Sequence, residues 1–502
     1  MVVHSSGRKA ETGAADPIIT RISEEDKVAW YKKPNLRYLY LMLFPTCMGI
    51  ELTSGFDSQM INALQMVSAW KDYFGYPTGA LQGIIAAAYS LGAILSLPFI
   101  PYVNDRWGRR WSIFGGSTIM ILGALLQGFS THVGMYIVAR LILGFGIPTC
   151  IVSGSSLIGE LSYPKERPVL TSLFNVAYFV GQIMAAGITF GTNTISNDYA
   201  WRIPSWLQIC PSLLQITFVF FLPESPRWLI VNDRIEEARE VFITYHAEGD
   251  RDSEFVKAEM AQIQTTIRIE MDTAKMSWMD ILATAGNRRR ALVTMFLGLY
   301  LHSMVGQHAH LLLSRHHPLE KIGWTNTQDM QKVNLGIAGW SLICGTTVAL
   351  LVRRFRRRVM YMTCVLSLLC VYIAWTYTYL VELWPYALRS RGIAFFQLFG
   401  RLAGFFTTFV NPIGMDNAGW KYLIFYCCWL AFEVGFVWFM FPETAGRTLE
   451  ELAFLFEDKH FAENANMAVE KVVHEDVPGA QRPLGDEKEL GAGEVEDAGR
   501  RV

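Results

Sequence analysis

Runs of about 20 predominantly apolar residues recur along the chain, the length an α-helix needs to cross a hydrocarbon core about 30 Å thick. They lie near 38–61, 79–102, 112–129, 133–153, 169–191 and 203–222, then near 291–313, 335–352, 359–380, 391–411 and 420–441. Backbone immersed in lipid must satisfy its own hydrogen bonds, so such runs read as helices and the chain as an all-α membrane protein. Composition agrees: 51% of the 502 residues are hydrophobic and 18% charged, against about 25% charged in ordinary soluble domains. A formal net charge of −1 excludes a basic nucleic-acid surface, so the partner is the lipid bilayer and there is no nucleic acid. All 8 cysteines fall within apolar runs and read as small core fillers.

The pattern divides the chain into a polar, cytosolic N-terminal tail (1–37), a six-helix bundle (38–222), a charged cytosolic helical linker (223–290), a second bundle (291–441) and a cytosolic C-terminal tail (442–502). The last of these is largely disordered by composition after about 457. The tail at the start lacks the apolar core of a secretory signal, so the first span is expected to direct membrane insertion. Basic clusters at Arg106, Arg109 and Arg110, at Lys165 and Arg167, and at Arg353, Arg354, Arg356, Arg357 and Arg358 mark the cytosolic side.

The halves are weakly duplicated. Glu160-Leu161 with Arg167 recurs as Glu382-Leu383 with Arg389, and Pro223-Glu224-Ser225-Pro226-Arg227 is echoed by Pro442-Glu443-Thr444. Glu160 to Glu224 spans 64 positions and Glu382 to Glu443 spans 61. In contrast, 50 positions separate Arg110 from Glu160 but only 24 separate Arg358 from Glu382. By its own symmetry the second half lacks about one helix there.

These motifs resemble the sugar porter family of the major facilitator superfamily, and the run from Tyr163 to Gln182 looks like its fungal lactose-permease and hexose-transporter branch. The resemblance covers residues 38–458 and rests on Gly55-Phe56-Asp57, Asp105 to Arg110, Arg140 with Gly144 and Gly146, Gln182, Pro223 to Arg227, Glu382 to Gly392 and Pro442-Glu443-Thr444. It implies a major facilitator fold of two six-helix bundles around a sugar site, working as a monomeric, multi-pass carrier of the plasma membrane with both termini in the cytosol.

Asp57 and Arg140 each place a charge inside an apolar run, which costs about 2.5–3.5 kcal/mol unless compensated. The resemblance makes them the proton-coupling pair, with a sugar and a proton as the partners. Gln182 offers donors and acceptors suited to sugar hydroxyls, and its family counterpart contacts the sugar. Asp105, Arg109, Glu160, Arg167, Glu224, Arg227, Glu382 and Arg389 would form a cytosolic gate of ion pairs, Glu160 with Arg167 and Glu382 with Arg389. Glu51, six positions from Asp57, points about 240° away on a helix and its role stays open.

No nucleotide-binding loop, zinc motif or nucleophile elbow occurs, so neither an enzyme nor a cofactor is expected. The alternatives are a sugar sensor of the same fold and a non-functional, truncated or mis-spliced isoform. His302, His308, His310, His316 and His317 crowd a stretch where the resemblance calls for a glutamine-rich sequence. Back-translated and read one nucleotide later, residues 301–319 permit a Thr-Gln-Trp-Ser-Gly-Asn run that looks like that missing motif, which points to a frame or splice error.

Overall fold

A computed structural model describes residues 28–77, 79–273, 285–296, 327–351 and 386–418. Its described elements are helical: α1 (Pro34–Leu64), α2 (Ser68–Tyr73), α3 (Gly79–Ser96), α4 (Ile100–Gly128), α5 (Val133–Leu161), α6 (Arg167–Thr192) and α7 (Tyr199–Phe221). Then come α8 (Pro226–Val231), α9 (Ile235–His246), α10 (Glu254–Thr273), α11 (Ala285–Phe296), α12 (Thr327–Leu351) and α13 (Tyr386–Ala418). Among the described residues, five helices (α1, α4, α5, α6 and α7) are long and apolar enough to cross a membrane, and α3 contains the shorter apolar helix Leu81–Ser96. The spans expected near 359–380 and 420–441, and most of that near 291–313, lie outside the described residues.

The second and third spans differ from expectation at their junction. Pro98 follows the end of α3 at Ser96, where its ring and missing N–H stop the ladder. The chain turns at once into α4, so the basic cluster expected in a loop sits on the first turns of a 29-residue helix. That helix is broken by Gly108, at φ 85° and ψ 177°, a region open essentially to glycine alone. α1 also departs from a regular ladder. Pro45 cannot donate, and a π-turn occupies Phe44–Met48.

Packing draws the first six membrane helices around one another, with α4 against α5, α1 against α6 and α3 against α5 as the broadest contacts. Two crossings are set by reciprocal glycines. A side chain on Gly55 would overlap the Tyr178 carbonyl, and one on Gly181 would overlap that of Leu52. Gly92 faces the Leu141 carbonyl and Gly144 that of Tyr89 in the same way. Small residues let membrane helices approach backbone to backbone, where dispersion and weak hydrogen bonds replace the missing hydrophobic drive. From the second half, α12 packs on α6, and α13 lies against α3, α4 and α5.

The charged linker docks on the same ends of the helices as the arginine clusters. Glu248, just past α9, accepts the backbone N–H groups of Asn35 and Leu36 (both 2.9 Å) and so caps α1. His246 is buried between Glu259 of α10 (2.7 Å) and the Leu161 carbonyl that ends α5 (3.3 Å). At the opposite end, Trp70, Phe74, Tyr136 and Trp201 form an aromatic cluster under α2.

Candidate functional site

The two lone charges of the first bundle meet. Arg140 of α5 donates through Nη1 to Asp57 Oδ1 at 3.1 Å and through Nη2 to Oδ2 at 3.4 Å, a forked pair in which the residues are 2% and 4% exposed. The same guanidinium lies 5.6 Å from the centre of the Tyr89 ring. Gly144, one turn further along α5, sets that distance by bringing its helix onto the Tyr89 carbonyl. The fork gives each carboxylate oxygen a charged donor, as a desolvated charge pair requires.

A third charge was not anticipated. Arg401 of α13 lies 5.4 Å from the same Tyr89 ring, so guanidinium groups from both halves attend one tyrosine. Its signal in the sequence was an arginine within an apolar run, the reasoning that found Arg140. Glu51 stays apart from the Asp57 pair. It is 4% exposed, its Oε1 has no hydrogen-bond partner among the described residues, and the charge attracting it is Arg401.

Gln182 is likewise buried, with Oε1 unpartnered among the described residues. Gln59 of α1 and Gln331 of α12 have both amide atoms in that condition, and Asn334 of α12 its Oδ1. Buried amides are ordinarily satisfied, and these four take none of the described residues as partner at those atoms. Sequence reasoning selected only Gln182, because an amide in an apolar run is equally suited to bonding another helix.

At the ends that carry the arginine clusters the charged motifs interlock. Glu224 accepts the backbone N–H groups of Arg109 (3.0 Å), Arg110 (3.2 Å) and Ser225 (2.9 Å). Burial holds the Glu224 carboxyl above its ordinary range, with those three donors and the Arg109 charge offsetting part of the effect. A Cβ on Gly108 would stand 2.5 Å from Glu224 Oε2, so glycine serves both the backbone angle and the contact. Glu160, 1% exposed, faces Arg109 Nε at 3.4 Å and Arg389 Nη1 at 3.4 Å and accepts the Ser225 hydroxyl. Asp105 takes Arg391 at 3.0 Å and the Ser390 hydroxyl at 3.4 Å.

The partners differ from those expected. Glu160 is bound across the halves by Arg389 of α13, whereas Arg167 donates to the Ser162 carbonyl at 3.4 Å. Arg227 is buried beside Glu160 and contributes to its positive surroundings. Glu382 lies outside the described residues, as do the five clustered histidines. Arg391, Ser390 and Ser225 were missed as site residues; Arg391 and Ser390 lie within the very motif that supplied Arg389.

The sequence model of the family described as "Sugar (and other) transporter" matches residues 42–381 and 374–456. The chain is 32% identical over 253 residues to a high-affinity glucose transporter of Kluyveromyces lactis, covering 50% of this chain and 46% of that relative, about half its length. It is 25% identical to the MFS-type transporter oryC of Aspergillus oryzae over 77% of this chain and 78% of that one. Among solved structures, the proton:xylose symporter XylE bound to 6-bromo-6-deoxy-D-glucose superposes with a TM-score of 0.69 at 18% identity, covering 84% of this chain and 100% of the other. With a family match across most of its length and a shared architecture, the chain belongs to the sugar (and other) transporter family, carriers rather than enzymes, built on the major facilitator fold.

Proposed function

We propose that the protein takes up a sugar together with a proton by alternating access at the plasma membrane, as a monomer with cytosolic termini. The observation that carries this reading is the buried fork between Asp57 and Arg140. A carboxylate held by one arginine in a dry site loses that hold on protonation, which frees the arginine and removes the charge that tied α1 to α5. The unpartnered amides of Gln182, Gln59, Gln331 and Asn334 support a hydroxyl-rich cargo. The pairs of Glu160 with Arg389 and Asp105 with Arg391 join the halves on the cytosolic side, so opening there must break them. In proteoliposomes with an imposed proton gradient, Asp57→Asn should abolish accumulation of labelled glucose or xylose above equilibrium while equilibrium exchange persists. Uphill accumulation by that variant would refute the assignment.

A second reading concerns the chain as written. The family match is made in two pieces that overlap at 374–381, within the interval where the repeat falls about one helix short. In this reading residues 38–222 are one bundle, 223–290 the linker and 291–441 an incomplete second bundle, and the literal sequence carries little sugar. Translation of the gene in all three frames across 301–319 and 358–382 tests it. An uninterrupted gene whose product accumulates sugar in transporter-deficient cells would exclude it.

A further inference from the structure

The linker meets the first bundle through one buried titratable side chain that the proposed transport cycle does not use. His246, the last residue of α9, is 5% exposed and lies against the rings of Phe242 (centroids 5.0 Å apart), Tyr163 (5.5 Å) and Phe255 (6.3 Å). Inside that apolar wrapping both ring nitrogens face oxygen. Nδ1 is 2.7 Å from Oε2 of Glu259 on α10, itself 3% exposed, and Nε2 is 3.3 Å from the Leu161 carbonyl at the end of α5. A backbone carbonyl and an ionised carboxylate can only accept, whereas a neutral imidazole has a single N–H and would set the lone pair of its other nitrogen against one of these oxygens. Whichever of His246 and Glu259 carries it, the contact as built holds one proton more than a neutral ring beside a carboxylate.

The second observation is where the ring points. Leu161 closes the 29-residue α5, so its carbonyl is among those a helix leaves unpaired and sits at the negative end of the helix dipole, a place suited to a cation. The residue before it is Glu160, which holds Arg109 and, across the halves, Arg389. His246 thus fixes the backbone that carries the clasp between the halves. The other charged groups at this joint are engaged elsewhere: Arg167 donates to the Ser162 carbonyl at 3.4 Å, Lys33 lies over the Tyr163 ring at 4.6 Å, and Glu248 accepts the amides that open α1. Among the described residues, Glu259 is the acid paired with the ring.

We propose that His246 is a positioning residue of this clasp that works only while protonated, so that the linker reads proton concentration on its own side of the membrane. With the proton in place the imidazolium bridges Glu259 to the end of α5 and holds Glu160 toward Arg389. When that proton leaves to water, one of the two hydrogen bonds goes with it, the end of α5 is released from α9 and α10, and the clasp loosens. Docking binds a proton, so it is strongest on the acidic side and weakens as pH rises. Neither the cargo nor the Asp57 pair enters this device.

The test is hydrogen–deuterium exchange of the full chain in detergent, corrected for the pH dependence of the chemical rate, from about pH 6 to about pH 9, a range chosen for histidine titration. In wild type, exchange at the end of α5, in α10 and at the start of α13 should rise several-fold toward high pH, while the aromatic cluster of Trp70 and Tyr136 at the opposite end stays protected. Glu259→Gln is the decisive variant. Its amide can donate to Nδ1, so a neutral ring keeps both contacts, and the pH dependence should vanish with the docking intact. His246→Gln, which cannot titrate, should exchange equally at every pH. A rise of wild-type size in either variant would overturn the proposal, as would a flat wild-type profile or a rise that stays in α9 and α10 without reaching α5 and α13. Docking lost at every pH in Glu259→Gln would also overturn it, by making the pair a fixed structural contact. Glu259→Gln decides the matter even where His246→Gln folds poorly.

Discussion

Two residues show how a single atom fixes the chemistry around it. Gly108 holds φ 85° and ψ 177° with the Glu224 carboxylate where its Cβ would be. Gly108→Ala is therefore expected to cost about 1–3 kcal/mol from backbone strain alone and to loosen the three backbone donors gathered on Glu224, lowering the unfolding temperature in detergent. Arg140 presents the opposite case, a charge tolerated only with its partner. Arg140→Met leaves Asp57 buried and unpaired, a loss of about 3–5 kcal/mol. Asp57→Asn added to Arg140→Met should restore much of the folded yield, measured by size-exclusion profile, because the remaining groups are neutral. Both members of that pair were legible in the sequence for one reason, that a charge in an apolar run must have a reason to be there. Arg401 obeyed the same rule, but the resemblance assigned it no role.

At the scale of the element, the apolar runs foretold the helices of the first half more reliably than their joints. Between the second and third spans a loop was expected, because arginines and an aspartate interrupt the apolar pattern. The chain instead runs on as α4, broken only at Gly108, where Glu224 and Glu160 engage the motif's backbone and side-chain donors. The linker is helical over Pro226–Val231, Ile235–His246 and Glu254–Thr273, but its docking was not legible, since nothing local in Glu248 announces that it caps a helix more than 200 positions earlier. That cap is expected to matter. Glu248→Ala should cost about 0.5–2 kcal/mol and raise hydrogen exchange at the Asn35 and Leu36 amides, with little change deep in α1.

For the molecule as a whole, the informative contacts are those between halves, which a sequence repeat cannot supply. Duplication placed Glu160 with Arg167 because both recur together at a fixed spacing, yet the fold pairs Glu160 with Arg389 from the other copy of the motif. The second copy thus supplies an arginine to the first half, an arrangement visible only once the helices are packed. Arg389→Gln removes one side of that clasp and leaves Glu160 with Arg109. If the proposed transport cycle holds, the balance between states should move toward opening at this end, read as faster labelling of a cysteine placed between the halves there; unchanged labelling would show that the pair does not hold the halves. The first half accounts for most of the described structure, and its expected spans agree well with its helices. In the second half the expected interruptions fall largely on residues outside the description.

The reciprocal glycines of α1 with α6 and α3 with α5 bear on how this sequence can vary over generations. A ligand-contacting amide can be exchanged when the cargo changes, and an ion pair can be replaced by two neutral residues together. Gly55, Gly181, Gly92 and Gly144 have no such compensating partner, because what each would strike is backbone, present whatever the neighbouring residue becomes. In a saturation scan scored by surface expression, these four positions should tolerate fewer substitutions than Asp57 or Gln182, so on the proposed function drift can reach the choice of cargo long before it reaches the crossings that hold the bundle.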